Sequence, residues 1–254
     1  MSDRPHTHGP ASDLRERARE IVEESGFVAS LPADVTAEVA ALDASASRSD
    51  HDADVRDLRS LLWSSIDNRE TRDLDQVEFC EDAGHGLVRL RLGIADVDYL
   101  VPKGSAIDRR ARANTTSLYT GVETFPMLPE ELSTDLTSLM EAAERLVVVV
   151  DLVIAGDGTV QDVSAYRARI VNHAKLTYEA VGQWLSGAAP APAELAAIDG
   201  LADQVHLQDE VARRLRARRH ERGALDLETI EARPVTTAAG DVVDIEVTRK
   251  NRAR

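Results

Sequence analysis

Three aspartates, Asp67, Asp73 and Asp75, occur within one short polar stretch of the sequence. Carboxylate oxygens are the hard ligands that Mg²⁺ accepts beside phosphate groups. If residues 73–75 are extended, the alternation of side chains along the backbone places Asp73 and Asp75 on one face and Leu74 on the other. The spacing therefore indicates part of a metal site.

Spacing alone does not establish this site, because 45 of the 254 residues are acidic. At that density, random placement gives roughly one such arrangement of three acids in a chain of this length. On spacing alone, an acidic and solvated loop is the better interpretation.

The neighbouring sequence favours a metal site over a solvated loop. Residues 65–67 (SID) and 73–76 (DLDQ) resemble the metal-binding motif of the RNB family, the 3′-to-5′ exoribonucleases that include ribonuclease II and ribonuclease R. Further stretches resemble this family in the family's own order: 93–97 (GIADV), 101–108 (VPKGSAID), 116–119 (TSLY), 125–133 (FPMLPEELS), 176–181 (LTYEAV) and 249–253 (RKNRA). The ordered set is specific, and it extends over about residues 60–254.

The resemblance implies a Mg²⁺ site, with Mn²⁺ as an alternative ion. By resemblance, Asp67, Asp73 and Asp75 are direct metal ligands. We expect Asp75 to matter most for catalysis, because it lies beside Gln76, where a neighbouring charge is already absent. Gln76 stands where many members have a fourth aspartate, and we include it among the metal-site residues. Its amide oxygen can coordinate weakly or hold a bound water but brings no charge, so a second Mg²⁺ should bind less tightly.

The implied substrate and partner is single-stranded RNA. Tyr119 and Tyr178 resemble tyrosines that lie near the RNA in the family, and aromatic rings can stack on bases. The alternative for each is a tyrosine that only packs. Leu227 stands where many members have a phenylalanine, and because leucine has no π-face, the resemblance implies a weaker grip on the RNA 3′ end.

A cluster of arginines near the end of the chain is the other candidate for RNA contact. Residues 211–222 contain six arginines and one acid, Glu221, whereas the whole chain has a net charge of -15. This charge argues against a generally basic nucleic-acid-binding surface. The arginines could contact phosphates, although a solvated helix face is the commoner outcome of such a run.

The elements that must position these residues follow from periodicity and turn signals. Helices are predicted over residues 14–24 with Ser12 as cap, shortly after Pro32, and over 105–114, 129–139, 176–185 and 193–222. Strands are predicted over residues 77–79, 87–94, 145–155, 159–169, 229–235 and 242–247. The predicted class is α+β, with mixed or antiparallel sheets and flanking helices that form an incomplete RNB-like catalytic domain behind a short helical N-terminal segment.

The polar, acidic stretch 43–54 fits a linker. We therefore expect residues 1–54 to form a flexible tail, short helices and an acidic linker, and residues 55–254 to form the N-terminal portion of an RNB-type catalytic domain. In the family, this domain continues into a helical half with a catalytic arginine. We expect that half as a separate chain, or self-association through an exposed apolar face.

Apolar content and cysteine usage bear on the compartment. The longest apolar run, residues 146–150, is too short to span a bilayer, and the first residues contain no apolar signal-peptide core. We expect no membrane association and a cytoplasmic location. Cys80 is the only cysteine, which excludes an intramolecular disulfide, and its predicted role is that of a small apolar strand residue.

Three functional hypotheses remain. The first is an RNB-family ribonuclease that hydrolyses single-stranded RNA from 3′ to 5′ with Mg²⁺, in a truncated chain that is catalytically incomplete alone. The second is a non-catalytic RNA-binding remnant, and the third is an acidic interaction module that retains only the fold. The sequence contains no motif of serine hydrolases, P-loop NTPases or zincins.

Overall fold

The computed structural model describes residues 11–42, 54–225, 230–237, 242–249 and 253. Its helices are α1 (Ala11–Glu24), α2 (Ala33–Ala40), α3 (Ala106–Asn114), α4 (Tyr178–Leu185), α5 (Ala193–Ala196) and α6 (Leu201–Glu221). Its strands are β1 (Arg56–Asp57), β2 (Trp63–Asp67), β3 (Gln76–Gly84), β4 (Leu87–Ala95), β5 (Leu118–Tyr119), β6 (Thr124–Phe125), β7 (Glu144–Ile154), β8 (Val160–Thr177), β9 (Ile230–Thr236) and β10 (Val242–Arg249). This composition confirms the predicted α+β class.

Five strands of the largest sheet join into a closed ring. Antiparallel pairs connect β2 to β3, β3 to β4, β4 to β7 and β7 to β8. Strand β8 is 18 residues long, so its first part pairs with β7 while its last residues pair in parallel with β2. The sheet is therefore mixed, and β8 closes the ring.

The two faces of β3 pack against different partners, because successive side chains of a strand point to opposite sides. Val77 and Phe79 belong to a buried cluster with Trp63 and with residues of β7 and β8. Cys80, from the other face, packs with Val211 of α6 and with residues of β4. Burying a large apolar side chain contributes about 1.5–3 kcal/mol, so both clusters stabilise the ring.

Turn glycines make the two long hairpins possible. The β3–β4 turn contains Gly84 and Gly86 with φ angles of 78° and 76°, a left-handed conformation that glycine adopts without steric strain. Gly158 in the β7–β8 turn also has a positive φ, and a Cβ atom there would collide with the carbonyl group of Arg214 in α6. The strands predicted over residues 77–79, 87–94, 145–155 and 159–169 thus correspond to these two antiparallel pairs.

Several predicted helix limits are wrong. Helix α1 begins at Ala11, so Ser12 lies inside the helix and does not precede it. The segment predicted as one helix over 193–222 is divided between α5 and α6, because Gly200 adopts a left-handed φ of 80° immediately before α6. The predicted helical piece at 129–139 is a π-helical turn over Leu132–Leu136.

The contacts divide the chain into two compact units. One unit comprises Met1–Leu42, Val101–Pro129 and Thr229–Arg249, and the other comprises Asp43–Leu100, Glu130–Glu228 and Lys250–Arg254. The strand ring lies entirely in the second unit. Each unit is assembled from several separate segments of the chain, so this division does not test a single boundary. The boundary near residue 54 therefore stays a prediction.

In the first unit, Ser105 caps the N-terminus of α3. The Ser105 hydroxyl accepts a hydrogen bond from the Asp108 backbone N–H at 3.2 Å. Glu38 of α2 adds a second interaction, since its Oε2 accepts hydrogen bonds from the backbone N–H groups of Ala106 at 2.6 Å and Ile107 at 3.3 Å. Helix α2 therefore satisfies donors that the start of α3 leaves open.

The hairpin β9–β10 also belongs to the first unit. Val243, Ile245 and Val247 alternate along β10 and are 63%, 63% and 57% exposed, so one face of this strand is apolar and open to solvent. The predicted self-association through an exposed apolar face stays a prediction. Within the part of the chain that the structure describes, no helix combines the length and apolar character needed to cross a membrane.

Candidate metal and RNA site

The candidate site lies where β2 and β8 end and β3 begins. Asp67 is the last residue of β2 and is paired in register with Thr177, the last residue of β8. Tyr178 follows as the first residue of α4, and Gln76 begins β3. Residues far apart in the sequence are thus brought to one edge of the ring.

Lys175 of β8 fixes the loop that follows Asp67. Its ammonium group donates hydrogen bonds to the backbone carbonyl of Arg69 at 3.0 Å and to that of Thr71. The Thr71 hydroxyl in turn donates to Asp67 Oδ1 at 3.1 Å. The carboxylate of Asp67 and the loop beyond it are therefore held by β8.

The second half of the loop is fixed from the other side. The Ser138 hydroxyl donates to the carbonyl of Arg72 at 2.7 Å and accepts from the backbone N–H of Leu74 at 3.2 Å. Leu74 is only 2% exposed and belongs to the core cluster with Trp63. Leu74 therefore points inward and anchors this half of the loop to the core.

Asp67 and Asp73 both lie within electrostatic range of Asp75. Burial raises the pKa of the Asp75 carboxyl, a backbone hydrogen bond opposes this shift, and the charges of Asp67 and Asp73 raise the pKa further. A concentration of negative charge of this kind disfavours ionisation unless a cation is present. The donor set is therefore chemically suited to a divalent ion.

These side chains do not complete a metal site by themselves. Across the described ranges, no three Asp, Glu, His or Cys side chains are grouped closely enough to hold a metal ion. Mg²⁺ is commonly held by one or two carboxylates together with waters and substrate phosphates. The residues present fit an ion of that kind, and the assignments of Asp67, Asp73, Asp75 and Gln76 as metal-site residues stay predictions.

A cavity of about 330 Å³ lies beside the start of β3. Gln76, Glu78 and Tyr178 line one part of it, and Gln208 and Asp209 of α6 line another, with apolar side chains over the remainder. The structure thus brings together Gln76 and Tyr178, which were selected separately from the sequence. The role of Tyr178 in RNA binding stays a prediction.

Glu78 is a potential site residue that the sequence does not indicate. Burial raises the pKa of its carboxyl to about 7, with smaller contributions from the charges of Asp75 and Asp67. The available signal is its position two residues after Gln76, which places both side chains on the same face of β3. Nothing in the sequence alone shows that α6 covers that face.

Tyr119 is placed differently from the other candidates. It lies on β5 in the first compact unit, and its side chain is 69% exposed. Leu227 lies outside the described residues. The predicted role of Tyr119 as a stacking surface therefore stays a prediction, but an exposed ring meets its first requirement.

The arginine cluster forms ion pairs within α6. Arg213 contacts Asp209 at 3.1 Å and Arg218 contacts Glu221 at 3.0 Å; Arg214 also pairs with Glu210. Each pair joins residues three or four positions apart, which is the spacing of neighbours on a helix surface. This arrangement favours the solvated helix face over a phosphate-binding surface.

Cys80 has the predicted character of a buried strand residue. Burial raises the pKa of its thiol to about 12, with a further contribution from the charge of Glu78. A thiol with so high a pKa is a poor nucleophile at neutral pH. The structure therefore gives Cys80 a packing role.

The ring of parallel and antiparallel strands carries aspartates at one edge, which makes this edge a candidate site for metal-dependent chemistry on phosphate groups. Comparison with known proteins identifies the family of the chain. Residues 55–254 match the RNB domain. The chain belongs to the RNB-domain family, as its motifs indicate. It is 34% identical over 197 residues to Ribonuclease R of Vibrio parahaemolyticus, which corresponds to 78% of this chain and 23% of that protein.

Two further similarities agree with this assignment. The chain is 39% identical over 137 residues to Exoribonuclease 2 of Erwinia tasmaniensis, covering 54% of this chain and 21% of that protein. Its fold matches that of Mycoplasma genitalium RNase R in complex with ribose-methylated single-stranded RNA, with a TM-score of 0.83 and 25% identity over 95% of this chain and 37% of that chain. The present chain thus corresponds to a minor part of these relatives.

Proposed function

We propose that this chain serves in the Mg²⁺-dependent hydrolysis of single-stranded RNA from 3′ to 5′, with Mn²⁺ as an alternative ion. The observation that carries the proposal is the match of residues 55–254 to the RNB domain, within which Asp67 and Asp73 lie in electrostatic range of Asp75. Nucleases of this family generally depend on divalent metal ions. We also propose a cytoplasmic location, where a ribonuclease of this kind meets cellular RNA.

Each site residue has a proposed task. The carboxylates of Asp67, Asp73 and Asp75 would hold the ion, and Gln76 would hold one of its waters or coordinate it weakly. When bound, Mg²⁺ neutralises charge on the phosphate and makes a bound water more acidic. Tyr178 contacts the RNA beside the cavity, and Tyr119 stacks on a base.

Single-stranded RNA is the proposed substrate for two reasons. The solved RNase R of similar fold is in complex with ribose-methylated single-stranded RNA. In addition, an exposed aromatic ring such as that of Tyr119 can stack on a base only when the base is unpaired and accessible. The described arginines that are ion-paired within α6 are not needed for this mode of binding.

The first test uses an RNA labelled at its 5′ end, Mg²⁺ and the purified chain, alone and together with a polypeptide that corresponds to the helical half of the family's catalytic domain. We expect products that shorten progressively from the 3′ end, and we expect Asp75→Asn to lower the rate by about 100-fold or more, as does loss of a group that stabilises transition-state charge. The variant should melt as the unmodified protein does. Hydrolysis that persists in EDTA, or in Asp75→Asn, would contradict the proposal.

A second candidate function is RNA binding without hydrolysis. It is favoured by the uncharged Gln76 and by the lack, among the residues that the structure describes, of a complete group of metal ligands. In that case the chain would bind the labelled RNA and leave it intact with Mg²⁺ or Mn²⁺. Failure to bind poly(A) at low salt would instead indicate an acidic interaction module.

A further inference from the structure

The outer face of β3 presents two polar side chains to the cavity. Gln76 and Glu78 are two residues apart, so they lie on the same face of the strand, and both line the cavity. The intervening Val77 is fully buried in the core cluster on the opposite face. Glu78 therefore places a carboxylate directly beside the position at which the site has an amide.

The surroundings of Glu78 favour a cation. Its carboxyl lies within electrostatic range of Asp75 and Asp67. Across the cavity, α6 contributes Asp209, whose carboxylate is already paired with Arg213 at 3.1 Å. No lysine or arginine is among the described residues that line the cavity, and a half-buried carboxylate without a positive partner is unfavourable.

Glu78 lies outside the aspartate motif from which the direct ligands are proposed, so the task we consider for it is indirect. A carboxylate that lies beyond the direct ligands acts by accepting hydrogen bonds from the ion's waters and by adding negative charge. Gln208 of α6, whose side-chain amide donates to the Glu78 backbone carbonyl at 3.5 Å, fixes this part of β3.

We propose that Glu78 is a positioning residue of the metal site, whose carboxylate supplies the negative charge that Gln76 lacks and holds a water of the bound ion. This inference rests on the proposed metal site and adds to it a residue outside the aspartate motif. It predicts that positions 76 and 78 compensate for each other, since they share one face of β3.

The test is calorimetric titration of the full chain with Mn²⁺ and with Mg²⁺, without RNA. Glu78→Gln should weaken binding by about 10- to 100-fold, the usual effect of removing a group that supports the direct ligands. Combining it with Gln76→Asp should restore most of the affinity. The matched control is Glu81→Gln, because Glu81 is on the same strand but on the opposite face, where it pairs with Arg91 at 2.9 Å.

The possible outcomes separate this inference from the proposed function. If Asp75→Asn loses ion binding and Glu78→Gln keeps it, the inference is wrong and the aspartate site stands. If the unmodified chain binds neither ion, both are wrong. If Glu78→Gln also lowers the melting temperature, the variant that combines Glu78→Gln with Gln76→Asp decides the question. Recovery of its ion affinity supports the inference, and an affinity that stays as weak as that of Glu78→Gln overturns it.

Discussion

At the scale of single residues, Tyr119 offers the sharpest test of RNA recognition. Its ring is 69% exposed on β5, so removing the ring should disturb packing little. Loss of base stacking costs about 1–3 kcal/mol per base, and Tyr119→Ala should therefore weaken binding of a short single-stranded oligonucleotide by about 5- to 100-fold. Fluorescence anisotropy with a labelled 5-mer measures this change, with Tyr119→Phe as the control that keeps the ring.

Equal affinities of Tyr119→Ala and the unmodified chain would make Tyr119 a packing residue. A loss of affinity in Tyr119→Phe as large as in Tyr119→Ala would indicate that the hydroxyl group, not the ring, contacts the RNA. Either result would contradict the stacking role.

Residue type and spacing alone favour an acidic, solvated loop for the three aspartates, and only the motifs around them indicate candidate metal ligands. Glu78 could not be identified in this way. Its relevance depends on α6, which covers the outer face of β3 through contacts such as the hydrogen bond from the Cys80 backbone N–H to Gln204 Oε1 at 3.2 Å. Such a contact between distant segments leaves no local sequence signal.

At the scale of secondary-structure elements, the loop between β2 and β3 depends on β8 for its conformation. Lys175 donates to two carbonyl groups of that loop, those of Arg69 and Thr71. Lys175→Met keeps most of the side-chain length but removes both hydrogen bonds. We expect the loop amides to exchange faster with solvent deuterium and the affinity for Mn²⁺ to fall about tenfold, as for other losses of supporting contacts around a metal.

Lys103→Met is a suitable control for this prediction, because Lys103 is exposed and lies in the other compact unit. Deuterium exchange followed by mass spectrometry reports on the loop, and calorimetry reports on the ion. If Lys175→Met changes neither measurement, the loop holds its shape through its other contacts, including those of Ser138.

The hairpins of the ring could be predicted because their signals are local: β-branched runs flank turns that contain glycine. The closure of the ring could not, since it requires the last part of β8 to leave β7 and pair with β2. The break between α5 and α6 could not be predicted from the apolar pattern either, because that pattern continues across Gly200. Only the Asp199-Gly200 pair signals a turn there.

At the scale of the whole molecule, the negative charge and the paired arginines limit how RNA can be bound. A net charge of -15 repels a polyanion at long range. Because Arg213 and Arg218 are ion-paired within α6, we expect binding to depend on a bound cation and on base stacking more than on phosphate contacts made by lysine and arginine. The bound ion would then link the RNA to the site in addition to its role in hydrolysis.

The two compact units show which segments depend on one another. Helix α3 belongs to the first unit together with α1 and α2. Besides the hydrogen bonds from its N-terminus to Glu38, it makes hydrogen bonds to Val28 through Asn114. Asn114 donates to the Val28 carbonyl at 3.2 Å and accepts from the Val28 backbone N–H at 2.9 Å. Residues 11–42 therefore support α3 at both of its ends, although the match to the RNB domain begins only at residue 55.

We expect that a chain of residues 55–254 will not keep α3 as stable as it is in the full chain. Loss of a helix N-terminal cap costs about 0.5–2 kcal/mol, and the Val28 hydrogen bonds contribute about 0.5–1.5 kcal/mol each. Deuterium exchange at the α3 amides should therefore accelerate about tenfold or more. In the full chain, Glu38→Ala should reproduce part of the effect, whereas Glu16→Ala, an exposed acid on α1, should not. Unchanged exchange in both the shortened chain and Glu38→Ala would mean that residues 1–54 form an independent segment, as the acidic linker suggests, and that α3 is stabilised from within residues 55–254.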